Sequence, residues 1–410
     1  MKKFAVIGGG ITGCIAALNA VSKGYDVTIF EKEKSLGGIL KDVKKDENIF
    51  FNSCQYFNPE EKWYKTHIEG NLDFKIFNHR KGSFTDIFDN QIFELNVPNP
   101  TCEKKIDLNE IIEKIEKNTK FNLKDRLNFY PRFINDNIFK WVSMHNVNPE
   151  DLSWDHPNGF SCGRVFFKEN LEEVKLLKKR SKLMDDLLCL PDHERDVHLQ
   201  QVSVPISGYN KFFDELSKIL IKKKIKINLS AVVKPVWDQN NLKIINKGTT
   251  HLFDKIFWSG NPTGLIKSFG LPKLDSLNIS CKNVYFNLDG VLKEDTYFQI
   301  FSKNIPVSRI YFYTLNDKAK LTVETFSKEF SINHVIKFCR NIISKKNWNL
   351  NFVEEKPQAE VFQKKYVVVS TRDRKIINDF IKKTKNSNLI PGCWLIYARD
   401  SKINFVIKNI

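Results

Sequence analysis

Six residues near the start of the chain, Gly8-Gly9-Gly10-Ile11-Thr12-Gly13, have the spacing GxGxxG, and an acid, Glu31, stands 18 positions after the last of them. Glycines in this pattern serve phosphate chemistry. Gly8 permits a tight turn out of a strand, Gly10 lets a pyrophosphate approach the backbone, and Gly13 allows a helix to pack closely on a strand. The helix that opens there offers unpaired N–H groups, at Ile11 and Thr12 among others, and a partial positive charge to an anion. Glu31 is placed to accept hydrogen bonds from an adenosine ribose, and an acid at that place disfavours a 2′-phosphate, so NADP fits less well than an unphosphorylated dinucleotide.

The elements needed to hold these residues are visible on either side. Phe4 to Ile7 is a short continuous apolar run, the pattern of a strand buried on both faces of a parallel sheet. Cys14 to Val21 is small and apolar at helical spacing and ends at Lys23-Gly24, a cation followed by a C-cap glycine. Asp26 to Phe30 is a second strand, which delivers Glu31. Set between a strand and a helix, with an acid closing the next strand, the glycine motif predicts a dinucleotide site.

Composition bounds what surrounds that site. The chain has 410 residues, 41% hydrophobic and 28% charged, which is enough for a sizeable core and for two or three domains. Its net charge of +17 suits an anionic partner, but the excess is lysine scattered along the chain. Neither Leu177 to Lys182 nor Lys222 to Lys224 interleaves aromatic with basic residues as nucleic-acid motifs do, so no nucleic acid is expected. The eight cysteines lie far apart, which argues against a metal site or a disulfide framework. With no apolar run of about 18 residues, a cytoplasmic chain with reduced thiols is expected, and peripheral membrane contact stays open.

Glu31-Lys32-Glu33-Lys34-Ser35-Leu36-Gly37-Gly38 resembles the extended fingerprint of FAD enzymes in the amine oxidase, protoporphyrinogen oxidase and UDP-galactopyranose mutase superfamily. In that family the second glycine pair lets another piece of backbone approach the cofactor. The resemblance continues in order along the chain. Ile49 to Phe57 is similar to the segment beside the flavin ring, with Ser53 and Gln55 where Gly and His are usual. Val204 to Phe213 opens an amphipathic helix like the one that re-enters the FAD domain, and the backbone around Val232 matches the adenine contact. Leu242 to Ile245 and Phe253 to Pro262 resemble the small meander and the strand that leaves it. Trp394 to Asp400 resembles the final strand end, with Ala398 in place of Gly and Arg399 retained, leaving Ser401 to Ile410 for a closing helix.

The resemblance implies an α/β chain in which a Rossmann-like FAD-binding domain (1–60, 201–265 and 385–410) is interleaved with an α+β substrate domain (61–200 and 266–384) built on a mixed or antiparallel sheet. It implies FAD held by Gly8, Gly10, Ile11, Thr12, Gly13, Glu31, Lys32, Gly37, Gly38, Val232 and Arg399. Arg309, in a strand-like run with Tyr311 and Tyr313, could clamp a phosphate or carboxylate, or pair with an acid such as Glu324. Tyr366 could stack on or hydrogen-bond to substrate, and Gln55 could hydrogen-bond to flavin or substrate. The expected activity is hydride transfer from a small molecule to flavin. Mutase chemistry on a nucleotide sugar and a non-catalytic FAD-binding scaffold are the alternatives. Two other motifs lack the context their chemistry needs. Gly159 to Gly163 matches GxSxG without the strand and helix of a nucleophile elbow, and Asp192 to His198 is acidic and histidine-bearing without further ligands nearby.

Overall fold

The computed structural model describes residues 1–53, 55–78, 80–85, 91–94, 113, 122–128, 148–152, 176, 179, 201–275, 277–300, 305–325, 329–396 and 399–410. Gly159 to Gly163 and Asp192 to His198 lie outside the described residues.

The apolar start of the chain forms β1 (Lys3–Ile7), in which Phe4, Ala5 and Val6 have no exposed surface. α1 (Ile11–Ser22) follows the glycine turn, and β2 (Asp26–Phe30) lies parallel to β1 with Ile7 opposite Phe30. Three later segments join these strands: β9 (Lys226–Asn228), β13 (Lys255–Trp258) and β20 (Leu389–Pro391). The resulting parallel sheet has the order β20-β13-β1-β2-β9, with the first strand of the chain at its centre and the last at one edge. A parallel sheet needs cover on both faces. One face is covered by α1, by α4 (Gly208–Lys222) through Phe212, Phe213, Leu216 and Leu220, and by α8 (Arg399–Asn409) through Ile403 and Val406. The other is covered by the meander β10 (Val233–Asp238), β11 (Asn241–Asn246) and β12 (Thr249–His251), with α5 (Thr263–Ser268) and α7 (Thr371–Lys383).

Across the crevice stands a larger mixed sheet, of order β18-β14-β17-β16-β15-β6-β7 with β19 paired to β14. Its strands are β6 (Arg80–Thr85), β7 (Gln91–Glu94), β14 (Leu277–Gly290), β15 (Thr296–Ile300), β16 (Val307–Leu315), β17 (Lys318–Thr325), β18 (Leu350–Phe352) and β19 (Ala359–Val368). Alternation along β16 sorts the side chains between faces. Ile310 and Phe312 pack with α6 (Ile332–Lys345), whose buried residues Val335, Ile336, Cys339, Ile342 and Ile343 recur at helical spacing. Tyr311 and Tyr313 turn the other way and join the core beneath the parallel sheet.

The two sheets are linked by the hairpin of β3 (Val43–Lys45) and β4 (Asn48–Phe50), by β5 (Phe74–Asn78) paired antiparallel with β8 (Gln201–Pro205), and by α2 (Lys62–His67). α3 (Leu123–Leu127) is a short turn held to the chain near Leu152. Among the described residues no helix is long and apolar enough to cross a membrane.

The end of the chain departs from the sequence reading. The last parallel strand is Leu389–Pro391 rather than a strand running through Trp394 to Asp400, and Arg399 opens the closing helix. The physical reason lies at Gly392. A Cβ there would come within 1.9 Å of the Trp258 carbonyl oxygen, so the close approach to β13 that ends the strand needs this glycine. The indole N–H of Trp394 then donates to the Gly260 carbonyl at 3.0 Å, turning the chain out of the sheet.

Candidate functional site

The glycine motif lies at the carboxyl ends of β1 and β13, where open α/β sheets bind ligands. Gly8 has φ +109°, a conformation L side chains rarely adopt, and its N–H donates to the Phe30 carbonyl at 2.9 Å. A Cβ on Gly13 would lie 2.0 Å from the Gly8 carbonyl oxygen and 3.1 Å from Cγ1 of Val6, so α1 can sit this close to β1 only with glycine there. A Cβ on Gly10 would meet nothing within 4 Å. The space above Gly10 is therefore open to a ligand, and the residues fit a dinucleotide pyrophosphate at the first turn of α1, beside Ile11 and Thr12.

The second glycine pair joins the first. The Gly37 N–H donates to the Gly9 carbonyl at 2.9 Å, and Gly10 and Gly37 form a parallel bridge. A Cβ on Gly38 would sit 3.5 Å from Cα of Gly10, and one on Gly37, whose φ is +127°, would strike the Phe213 ring. Two backbone segments thus border one opening. Glu31 is 5% exposed, and its carboxylate is held in place by the N–H groups of Gly9 at 2.5 Å and Glu33 at 2.9 Å. Lys32 is exposed beside it and pairs with Glu33 at 3.5 Å. On the same edge of the sheet the Ala231 N–H donates to the Glu31 carbonyl at 2.8 Å, and the next residue, Val232, is 75% exposed.

The expected flavin-side segment is clamped from two directions. Tyr313 Oη accepts from the Phe51 N–H at 2.9 Å and shares a hydrogen bond with Thr322 Oγ1 at 3.1 Å, and Thr322 Oγ1 donates to the Phe51 carbonyl at 3.0 Å. Phe51, Tyr311 and Tyr313 stack on one another, with centroids 4.7 Å apart for Phe51 and Tyr313 and 4.8 Å apart for the two tyrosines. Tyr285 Oη donates to Asn52 Oδ1 at 3.0 Å, and the Asn283 amide donates to the Asn52 carbonyl. From the other side Arg399 donates to Gln55 Oε1 at 2.7 Å and to the Tyr56 carbonyl, and lies 5.1 Å from the centroid of Phe57. Gln55 Nε2 donates to Ser53 Oγ at 2.9 Å, and Tyr209 Oη donates to the Gln55 carbonyl at 2.8 Å. Gln55 and Arg399, separately assigned from the sequence, thus meet, with both ends of the Gln55 amide engaged within the chain.

Arg309 faces the same side of the large sheet as Tyr311 and Tyr313 and forms the ion pair with Glu324, Nε to Oε1 at 3.6 Å. Glu324 is 1% exposed and Arg309 retains partial access to solvent. Tyr366 lies in β19 opposite Ile279, and its side chain is outside the described residues. Among the described residues no three of His, Cys, Asp and Glu gather where they could hold a metal ion.

Several side chains in this region escaped sequence reasoning. Asn52, Asn283, Tyr285 and Thr322 carry no spacing signal, whereas Tyr311 and Tyr313 repeat at period 2 and could have been placed together on one sheet face. Lys320, 3% exposed, donates to Asn287 Oδ1 at 2.9 Å and lies 4.4 Å from the Phe50 ring centroid, and burial pulls its pKa down to about 8.

Asp42 is another. It caps α4, accepting the Asn210 N–H at 2.8 Å, and leaves no room for a side chain at Gly208, whose Cβ would come within 2.5 Å of the carboxylate. Burial pushes its pKa up from 3.8 to about 6, against the lowering effect of the Asn210 and Tyr209 N–H groups. A folded pKa above the unfolded one means that the fold favours the protonated acid. The contribution is complete below about pH 4 and is lost as pH rises through about 6, a change of about 3 kcal/mol. Urea unfolding of wild type and Asp42→Asn across this range is expected to show the slope in wild type and its loss in the variant.

Comparison with known proteins completes the description. Residues 6–66 match the NAD(P)-binding Rossmann-like domain family. A 48-residue stretch is 52% identical to 4,4′-diapophytoene desaturase (4,4′-diaponeurosporene-forming) of Staphylococcus aureus, covering 12% of this chain and 10% of the desaturase. Over its whole length the chain resembles wild-type putrescine oxidase bound to putrescine, with a TM-score of 0.61 and 12% identity, covering 100% of this chain and 98% of that one. Reduced UDP-galactopyranose mutase matches with a TM-score of 0.61 and 13% identity, over 95% of this chain and 87% of the mutase. The chain shares with these two structures a fold in which a parallel Rossmann-like core faces a mixed, largely antiparallel sheet.

Proposed function

We propose that the chain binds FAD and is an oxidoreductase that oxidises a C–N or C–C single bond of a small-molecule substrate to a double bond. A C–H of that bond gives its hydride to the flavin, and the adjacent N–H or C–H loses its proton to solvent. The observation that carries this reading is the meeting of the Gly8 to Gly13 turn, the Gly37-Gly38 pair and the Glu31 carboxylate around one opening at the carboxyl edge of the parallel sheet. Bound FAD supplies the two-electron acceptor. The chain's own groups do the holding: the N–H groups of Ile11 and Thr12 face the phosphates, Glu31 with Lys32 at its side faces the adenosine ribose, and the Val232 backbone lies at the adenine end. Arg399 and Gln55 then act together, Arg399 fixing the flavin-side segment through Gln55 and the Tyr56 carbonyl. Arg309, with Glu324 beside it, and Tyr366 belong to the substrate side, where a phosphorylated or otherwise anionic small molecule suits the arginine.

In this reading residues 1–60, 201–265 and 385–410 form the FAD-binding domain, 61–200 and 266–384 the substrate domain, and the protein works in the cytoplasm. The likeness to reduced UDP-galactopyranose mutase over 95% of this chain supports a second reading, in which reduced FAD serves a nucleotide sugar without net oxidation. Purified protein is expected to be yellow and to bleach when an oxidisable substrate such as an amine is added without oxygen. Turnover of a UDP-sugar only after dithionite reduction would favour the mutase reading. Colourless protein that takes up no FAD would overturn both readings, whereas yellow protein that turns over neither kind of substrate would leave the FAD-binding scaffold.

A further inference from the structure

Phe51 stands one residue past the end of β4, outside the hairpin ladder, and is 1% exposed. A buried backbone N–H and carbonyl need partners. At Phe51 both are supplied by side chains of the large sheet, Tyr313 of β16 and Thr322 of β17. Thr322 is opposite Tyr311 in the register of these strands, so it is the diagonal neighbour of Tyr313 on the same face. Chemistry fixes the direction of every bond. The Phe51 N–H can only donate, so Tyr313 Oη accepts it at 2.9 Å. The Phe51 carbonyl can only accept, so Thr322 Oγ1 donates to it at 3.0 Å. The Tyr313 proton is left for Thr322 Oγ1, 3.1 Å away, and closes a ring of three hydrogen bonds running one way round. Bonds linked in this way polarise one another, so removing either hydroxyl weakens all three.

The contacts on either side say what this ring holds. Asn52, the next residue, has its carbonyl held by Asn283 and its Oδ1 by Tyr285, and its own amide donates to the Ile39 carbonyl at 3.4 Å. Ile39 follows Gly38, which lies against Gly10 at the opening, and is itself 56% exposed. Farther on, Gln55 and Tyr56 are bonded to Arg399 in the helix that follows β20. β20 and β2 lie on opposite sides of β1 in the parallel sheet. The segment from Phe51 to Tyr56 therefore leads from the glycine opening toward the side of β1 away from Glu31. A dinucleotide with its adenosine at Glu31 and its pyrophosphate over Gly10 carries its other half along this segment. Resting on the FAD reading above, we propose that Tyr313 and Thr322 are positioning residues: through Phe51 they fasten the segment that borders the flavin ring, so that the large sheet sets where the ring lies. Tyr313 has no exposed surface and Thr322 is 2% exposed, so both act through the Phe51 backbone rather than by touching the cofactor.

The test uses Tyr313→Phe, which keeps the ring, Thr322→Val, which keeps the shape without the hydroxyl, and Thr322→Ser, which keeps the hydroxyl. Affinities for FAD and for ADP, which lacks the flavin half, are measured by calorimetry, and the bound flavin is followed by visible circular dichroism. Tyr313→Phe and Thr322→Val are each expected to weaken FAD binding about tenfold, with ADP affinity within about twofold of wild type and the flavin dichroism altered. Thr322→Ser is expected to match wild type in all three. The double variant Tyr313→Phe/Thr322→Val is expected to lose little more than either single one, because one change already opens the ring. Should Tyr313→Phe not fold, Thr322→Val decides the matter alone. Unchanged FAD affinity and dichroism in the folded variants overturn the proposal and leave the FAD reading standing. Equal loss of FAD and ADP overturns it in favour of a general support of the fold. Wild type that binds no FAD overturns both readings.

Discussion

Gly10→Val is expected to lower FAD affinity at least a hundredfold while the protein stays folded. The backbone at Gly10 is extended, with φ −71° and ψ 174°, a conformation that suits a β-branched residue. A new Cβ meets no protein atom within 4 Å, so nothing in the core has to move. The stability cost is limited to that of a poorer helix N-cap, about 1 kcal/mol. The same side chain occupies the space the pyrophosphate needs, and a charged group held off its hydrogen-bond donors by one or two carbon atoms loses the whole benefit of the α1 N-terminus. Calorimetric titration with FAD, set beside a thermal unfolding curve, checks both halves. A variant that binds FAD as tightly as wild type places the phosphates elsewhere.

Gly13→Ala, a smaller change three residues on, is expected to do the opposite damage. Its Cβ would lie 2.0 Å from the Gly8 carbonyl oxygen, which belongs to backbone and cannot swing aside. Relief requires α1 to move off β1, and with it the contacts of Ile15, Ala16 and Ala17, all with no exposed surface. Overpacking of this kind costs about 3 kcal/mol or more. Denaturant unfolding should show that loss without any ligand present, and FAD binding should fall because the phosphate turn has moved with the helix. If Gly13→Ala unfolds like wild type, the close helix-on-strand contact is not what the glycine secures. The two glycines thus separate ligand space from packing, which a composite motif such as GxGxxG cannot do by itself.

The same contrast explains what was legible in the residues and what was not. The turn at Gly8 and the close helix packing at Gly13 follow from local backbone geometry within one strand, turn and helix, and a short sequence window carries them. Glu31 is legible for the same reason, since it closes the neighbouring strand. The expected helix from Val204 onward appears as Gly208–Lys222, and the strand-like run of Arg309, Tyr311 and Tyr313 as β16. Tertiary contacts are another matter. Arg399 and Gln55 are 344 residues apart, and Asp42 and the Asn210 N–H it caps are 168 apart. Nothing in the local pattern at either end specifies such a meeting. The last strand was misplaced because Trp394 to Tyr397 is more apolar than Leu389 to Gly392, while the deciding fact is the missing Cβ at Gly392 against the Trp258 carbonyl.

Calorimetric titration of the cofactor-free wild-type chain with FAD tests the central claim most directly. One FAD is expected to bind per chain, with a flavin absorbance spectrum altered from that of the free cofactor and with NADP binding far more weakly. The absence of any heat, in protein shown to be folded by its unfolding transition, would mean that the opening between the two glycine segments does not serve a flavin dinucleotide.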